Sequence, residues 1–395
     1  MTDARPKVAL FYDVRGWAFH NVARSIARVG ARDFQFQLLG RDDWFGTPEI
    51  AANAVLQSDI AVFLWRFDLL AFLETLDDAA WAKVTAPGRP AIVTIVYDHL
   101  YQSAQDLAQF GDPFNLSDAV AACSERLRAE YGEQPHLPDI SHVVPDGVDL
   151  GRFSPEGRAR RTGRPLRIGW VGNSAWGSTV GTDLKGMHSV FLPALARLRA
   201  AGLEMEERVA DRADRQVPWA AMPDYYRNID VLVCTSAIEG TPNPVLEAMA
   251  SGVAVVTTDV GIVRQVLGPA QEEFVVHGRT PDAVAAALAQ LIRDPSQVER
   301  LQKENCERRA TLAWENRWPL WRDLLVEAMA TASSLEGASR TELLLQFRSR
   351  RRSKLELVRR KVASSRLTYR TYETVRERWP GVIRVAKRLL AWEQT

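Results

Sequence analysis

The feature that most constrains the fold of this 395-residue sequence is one stretch, Thr235 to Ala250. It reads TSAIEGTPNPVLEAMA between the apolar runs Val231-Leu232-Val233-Cys234 and Gly252-Val253-Ala254-Val255-Val256-Thr257. Two short β-prone runs separated by a loop and a short amphipathic segment define strand, loop, helix, strand. That is the repeating unit of a doubly wound parallel sheet, so an α/β fold is expected. Glu239 then leaves the carboxyl end of a buried strand, the edge at which open α/β sheets bind ligands. The turn Gly240-Thr241-Pro242-Asn243-Pro244 directs backbone N–H groups outward at a helix start, which suits a polyhydroxylated or anionic ligand. Glu247 follows one to two turns later on the same side. Two carboxylates flanking a helix start can hold sugar hydroxyls by charge-assisted hydrogen bonds. A loop residue and a helix-surface charge are the plainer alternative.

The whole string, Ser-x-x-Glu-Gly-Thr-Pro-Asn-Pro-x-Leu-Glu-Ala-Met-Ala-x-Gly, fixes two acids, a turn and a helix together. It resembles the signature of the family-four retaining glycosyltransferases of GT-B fold. That resemblance implies two Rossmann-like doubly wound domains facing a cleft, with Glu239 at the transferred sugar and Glu247 on the ribose hydroxyls of a nucleotide. It also implies a nucleotide-diphosphate sugar as donor substrate, with no further cofactor and no metal.

The rest of the chain extends the pattern. Val8 to Tyr12 reads as a strand that breaks at Asp13-Val14-Arg15-Gly16 and passes into a helix from Trp17 to Val29, with Gly16 placed for backbone approach to a phosphate. His20, in the first turns of that helix, is either a capping residue or an acceptor-site group. Phe34 to Leu38, Ile60 to Trp65 and Pro90 to Val96 are further strands. The last ends in Tyr97-Asp98-His99, at which relatives carry a His or His-Asp pair near the donor sugar, so His99 joins Glu239 as a candidate catalytic residue and Asp98 is the alternative. Val143-Val144-Pro145-Asp146-Gly147-Val148-Asp149 resembles the family's Pro-Asn-Gly-Val-Asp element with Asp in place of Asn. Its tight turn closes a first, acceptor-side domain, residues 1–148.

A second domain, residues 149–330, restarts at Leu166 to Gly172 with a small-residue loop. Asn173 stands where relatives commonly place an Arg. Lys185-Gly186 opens an amphipathic helix, and a lysine beside exposed N–H groups at a helix start suits a diphosphate. The expected donor-binding set is therefore Gly16, Gly172, Asn173, Lys185, Gly240, Thr241, Pro242, Asn243 and Glu247. Asp211-Arg212, at a strand end, falls where relatives seat the base. Trp314, Trp318 and Trp321 fit the family's closing helix, so the resemblance covers roughly residues 6 to 330.

Residues 331–339 read as a small-residue linker, and 340–395 as a basic helical tail with 16 lysines and arginines against five acids. Val382, Ile383, Val385, Ala386, Leu389 and Leu390 recur there at helical spacing. The tail suits an anionic membrane surface or, as readily, packing on the protein or on a second copy. A net charge of +1 argues against a global nucleic-acid footprint. Three cysteines without a CxxC pair fit a reducing cytoplasm, and no apolar run approaches bilayer length. The expected function is sugar transfer to a glycan or lipid-linked acceptor in cell-envelope polysaccharide synthesis, in the cytoplasm or at the inner membrane face. A nucleotide-sugar epimerase, a phosphorylase and a non-catalytic scaffold are the alternatives.

Overall fold

A computed structural model describes residues 5–98, 112–134, 137–158, 163–177 and 182–350. The chain divides into two compact units. One comprises residues up to Ala122, Arg128–Val143 and the chain from Trp318 onward; the other comprises Cys123–Leu127 and Val144–Arg317. Each is built on a parallel sheet of the Rossmann-like kind.

The sheet of the first unit holds β1 (Lys7–Tyr12), β2 (Gln35–Gly40), β3 (Ile60–Phe63), β4 (Ala91–Val96), β5 (Ala119–Ala122) and β6 (His142–Val143) in the order β2-β1-β3-β4-β5-β6. All pairings are parallel, with Leu10 between Leu38 and Val62. β3, β4 and β5 are buried along their whole length, as expected for strands covered by helices on both faces. The chain leaves β1 for β2 on one side and returns to β3 on the other, so the topological switch point lies between β1 and β3.

The second sheet holds β7 (Leu166–Gly172), β8 (Met205–Asp211), β9 (Val231–Cys234), β10 (Ala254–Thr258) and β11 (Val275–Val276) in the order β11-β10-β9-β7-β8. Side chains alternate between two cores. Val231, Val233, Ala254 and Val256 pack into one, and Leu232 and Val255 into the other. Here the switch point falls between β7 and β9, which pair at Ile168↔Val231 and Gly169↔Leu232.

The units meet the chain at Val143/Val144 and Arg317/Trp318, whereas the sequence reading placed the breaks at 148/149 and 330. The helix Trp314–Ala332 explains the second difference. The Trp318 indole donates to Asp33 Oδ2 at 2.6 Å and its ring meets Phe34 edge-on at 6.0 Å, so the helix joins the first unit a turn after it begins. The expected 331–339 linker is corrected to a turn at Ser333-Ser334 followed by the helix Leu335–Arg350. Ser334 Oγ caps it by accepting from the N–H of Glu336 at 3.1 Å. Leu344 and Phe347 from that helix are buried in the first unit's core. Residues 351–395 and the amphipathic pattern expected there lie outside the described residues, as does His99. No described helix is long and apolar enough to cross a membrane.

Candidate functional site

In the second unit the loop 183–186 is clamped against the end of β9. The Trp170 indole donates to Thr235 Oγ1 (3.1 Å), and that hydroxyl donates to the Lys185 carbonyl (2.8 Å). Ala237 N donates to the Leu184 carbonyl at 2.8 Å. Gly186 has φ +72°, and a Cβ there would lie 2.3 Å from the Thr235 carbonyl oxygen, so the close approach requires glycine. Arg279, just past β11, donates through Nε to the Thr235 carbonyl (2.7 Å) and through its guanidinium to the Asp183 carbonyl.

This clamp delivers the Lys185 ammonium to Glu239. Nζ forms an ion pair with Glu239 Oε1, and Ser236 Oγ donates to the same oxygen at 2.7 Å. The two side chains are 20% and 15% exposed, and Nζ lies 4.7 Å from the centre of the Trp176 ring. Beyond Glu239, Gly240 is buried against Gly261, whose φ is +50° and where a Cβ would fall 2.0 Å from the Gly240 oxygen. Ile262 N donates to that same Gly240 oxygen at 3.0 Å. Among the described residues no protein group accepts from the N–H of Gly240, Thr241 or Asn243 at the start of the helix Asn243–Ala250. Thr241 and Pro242 are buried, and Asn243 Nδ2 reaches Asp146 Oδ2 at 3.5 Å.

Glu247 sits in the second turn of that helix. The buried Tyr226 hydroxyl donates to its Oε2 at 2.8 Å. Burial pushes the Glu247 carboxyl up to about 7, against the opposing pull of the Tyr226 hydrogen bond and of Arg152. Arg152 itself stacks on Trp219, 3.5 Å from the ring centre, and donates to the Trp219 carbonyl at 2.8 Å.

The structure redirects two expectations about this region. The N–H groups of Gly186, His188 and Ser189, expected to be open beside Lys185, all donate to the Asp183 carboxylate at 2.8 Å. That helix start is already occupied by an anion of the protein's own, and the uncommitted N–H groups lie instead in the 240–243 turn. Asn173 Oδ1 accepts from Ala175 N at 3.1 Å, so this side chain closes its own turn at the end of β7 beside Gly172. The clamp that holds the Lys185 loop also uses Arg279, 94 residues downstream of Lys185, which no local motif announces.

Gly16 lies in the first unit with its N–H donated to His20 Nδ1 at 3.1 Å. The His20 ring packs 4.8 Å from Tyr12, and burial, with Arg24 and Arg15 adding to it, lowers its pKa, so the imidazole is neutral at pH 7. The switch point of this unit also holds Asp13, whose Oδ1 is buried with no hydrogen-bond partner among the described residues and whose pKa burial raises to about 6. Nearby, Asp68 is fully buried and pairs with Arg41, which donates through Nε at 2.7 Å. Asp98 is held by the buried Arg66 at 3.0 Å, so its carboxylate is a partner of the fold. Among the described residues no three His, Cys, Asp or Glu side chains converge as a metal-binding set.

Residues 215–308 match the family model for glycosyl transferases group 1. The D-inositol 3-phosphate glycosyltransferase of Corynebacterium urealyticum is 30% identical over 49% of this chain and 52% of its own length. The lipopolysaccharide core biosynthesis mannosyltransferase LpsB of Rhizobium meliloti is 37% identical over 49% of each chain. The chain thus spans about half the length of these curated relatives. Sucrose-phosphate synthase from Thermosynechococcus elongatus superposes with a TM-score of 0.62 at 15% identity, covering 82% of this chain and 100% of its own. Anabaena HepE, solved with UDP and glucose, gives 0.62 at 12% identity, covering 82% and 100%. Residues 215–308 of the second unit are thus similar to the glycosyl transferases group 1, and the two Rossmann-like sheets have the fold of the GT-B glycosyltransferases.

Proposed function

We propose that this glycosyltransferase moves a sugar, with retention of configuration, from a nucleotide-diphosphate sugar to a glycan or lipid-linked acceptor. The observation that carries the reading is the grouping of Lys185, Glu239, the uncommitted 240–243 amides and Glu247 at the carboxyl end of β9, beside the switch point of the second sheet. Glu247, in a buried setting with one oxygen already bonded, receives the ribose hydroxyls. Lys185 and the 240–243 N–H groups meet the negative charge that grows on the departing diphosphate, so the barrier falls without a metal ion. Glu239 accepts from hydroxyls of the transferred sugar. The acceptor attacks the face from which the diphosphate leaves, and its proton passes to the departing phosphate oxygen. No second carboxylate stands by Glu239 among its described partners, so Glu239 positions the sugar and does not serve as a nucleophile of the glycosidase kind.

The names of the curated relatives, one acting on inositol 3-phosphate and one in lipopolysaccharide core synthesis, support an envelope-associated acceptor. The basic stretch 340–395 fits a peripheral position at the inner membrane face. The test is a thermal-shift panel of nucleoside diphosphates and nucleotide sugars, followed by NMR of the anomeric centre in the product. A selective shift, lost in Lys185→Ala and Glu247→Ala, and a product of retained configuration are expected. No shift with any nucleotide, or an inverted product, would overturn the corresponding half of the reading.

A further inference from the structure

We infer that the Lys185–Glu239 pair is a specificity element, broken by the diphosphate and repaid only when a sugar is attached to it. The inference rests on the reading of this site as a nucleotide-sugar site. Glu239 Oε1 takes both the Lys185 ammonium and the Ser236 hydroxyl, and both charged side chains are at least four-fifths buried. Among the described residues Lys185 Nζ has no other carboxylate partner and Glu239 no other cation. A diphosphate that binds Nζ must therefore draw it away from Glu239. That leaves a largely buried carboxylate unpaired and close to the incoming anion, a costly state.

The hydroxyls of an attached sugar are donors, and they replace the ammonium on Glu239 as the ammonium turns to phosphate. A free nucleoside diphosphate has nothing to offer in exchange. The same two residues thus favour the donor over its spent form, and after transfer Glu239 recaptures Lys185 as the diphosphate departs. Ser236 keeps the carboxylate in place through both states.

Calorimetric titration of the full chain tests this. The probes are UDP, GDP and ADP, and then UDP-glucose, GDP-mannose or ADP-glucose to match the tightest of the three. The wild type is expected to bind the nucleotide sugar at least about tenfold tighter than the free diphosphate. Glu239→Gln, which frees Lys185 but keeps the side chain's size, is expected to bind the free diphosphate roughly fivefold tighter than wild type and to lose most of the preference for the sugar form. Because the pair is in contact and mostly out of water, that gain persists at about 0.5 M salt, where a general field effect is screened. Ser236→Ala leaves Glu239 more dependent on Lys185 and moves the free diphosphate the other way, about twofold weaker.

Diphosphate binding that is unchanged or weaker in Glu239→Gln, with nucleotide-sugar binding by wild type intact, overturns the exchange and leaves the function standing. A gain that disappears at high salt overturns it as well. If Glu239→Gln does not fold, an unchanged diphosphate affinity in Ser236→Ala does the same. Wild type that binds none of the three diphosphates overturns the nucleotide-sugar reading and this inference with it.

Discussion

The two sheets of this protein place charged groups at equivalent points of their topology and prepare them differently. At the switch between β7 and β9, Lys185 and Glu239 pair with each other, the 240–243 amides are uncommitted and Glu247 carries a raised pKa beside one hydrogen-bond donor. At the switch between β1 and β3, the Gly16 amide is used by His20 and one Asp68 oxygen by Arg41, while Asp13 Oδ1 and Asp68 Oδ2 are buried without a hydrogen-bond partner among the described residues. Parallel topology concentrates ionisable residues at the carboxyl ends of strands in both units. Whether those residues face a ligand or one another is decided by the loops, since a loop that satisfies its own amides has nothing left to bind with.

The comparison breaks hardest on the structural side. Asp68→Ala removes the fully buried carboxylate that pairs with Arg41, itself 15% exposed, and a loss of about 3 kcal/mol in stability is expected by urea unfolding. A loss below about 1 kcal/mol would mean that the first switch point tolerates unpaired charge. Lys185→Ala in the second unit is expected to cost roughly a hundredfold or more in transfer rate and to lower stability by less than Asp68→Ala does, because Glu239 keeps the Ser236 hydroxyl and some contact with water. Equal damage to rate and to melting would make the second switch point as structural as the first.

Two finer tests concern the raised acids. Glu247 accepts ribose hydroxyls as a carboxylate, so donor affinity should fall about tenfold per pH unit below its pKa of about 7, and Glu247→Gln should flatten that slope. Folding has the opposite dependence: a carboxyl held above its usual value binds its proton more tightly in the folded state, so its contribution to stability declines as pH rises through about 7. Tyr226→Phe removes one stabiliser of the carboxylate. It should weaken a ribonucleoside diphosphate by about 1–2 kcal/mol and its dideoxyribose analogue hardly at all, which separates positioning of Glu247 from general loosening. The smallest effect is at Asp13. Asp13→Asn should raise stability by about 1 kcal/mol at pH 8, where the buried carboxylate is ionised, and by little at pH 4.5, below its pKa of about 6. A gain equal at both pH values would show that ionisation of Asp13 is not the cause.

Much of this was legible in residue order. Every strand of both sheets that carries a site loop was marked by its apolar run, and the Glu239–Glu247 spacing marked the loop and helix between β9 and β10. Arg279 and Tyr226 were not visible because nothing in their own neighbourhoods distinguishes an arginine or tyrosine that meets the site from one that does not. The Asp183 cap was missed for a related reason: an aspartate three residues before Gly186 looks like any loop residue until its carboxylate is seen to take three N–H groups. The helix after Ser334 was hidden by Gly337 and Ser339, whose weak helical preference is overridden by burial of Leu344 and Phe347.

By itself, the sequence determined the α/β class, the parallel sheets and the identity of the acids and lysine at the second switch point. The class and the sheets follow from periodicity, which acts over a few residues, and the acids and lysine from the resemblance of their motifs to those of the family. Only the tertiary structure decided which charges are paired, which amides remain uncommitted and which acids are pushed up by burial. Each of those depends on what lies within a few ångströms across the sheet ends, and the groups that meet there come from segments far apart in the chain, as Asp146 and Asn243, 97 residues apart, do.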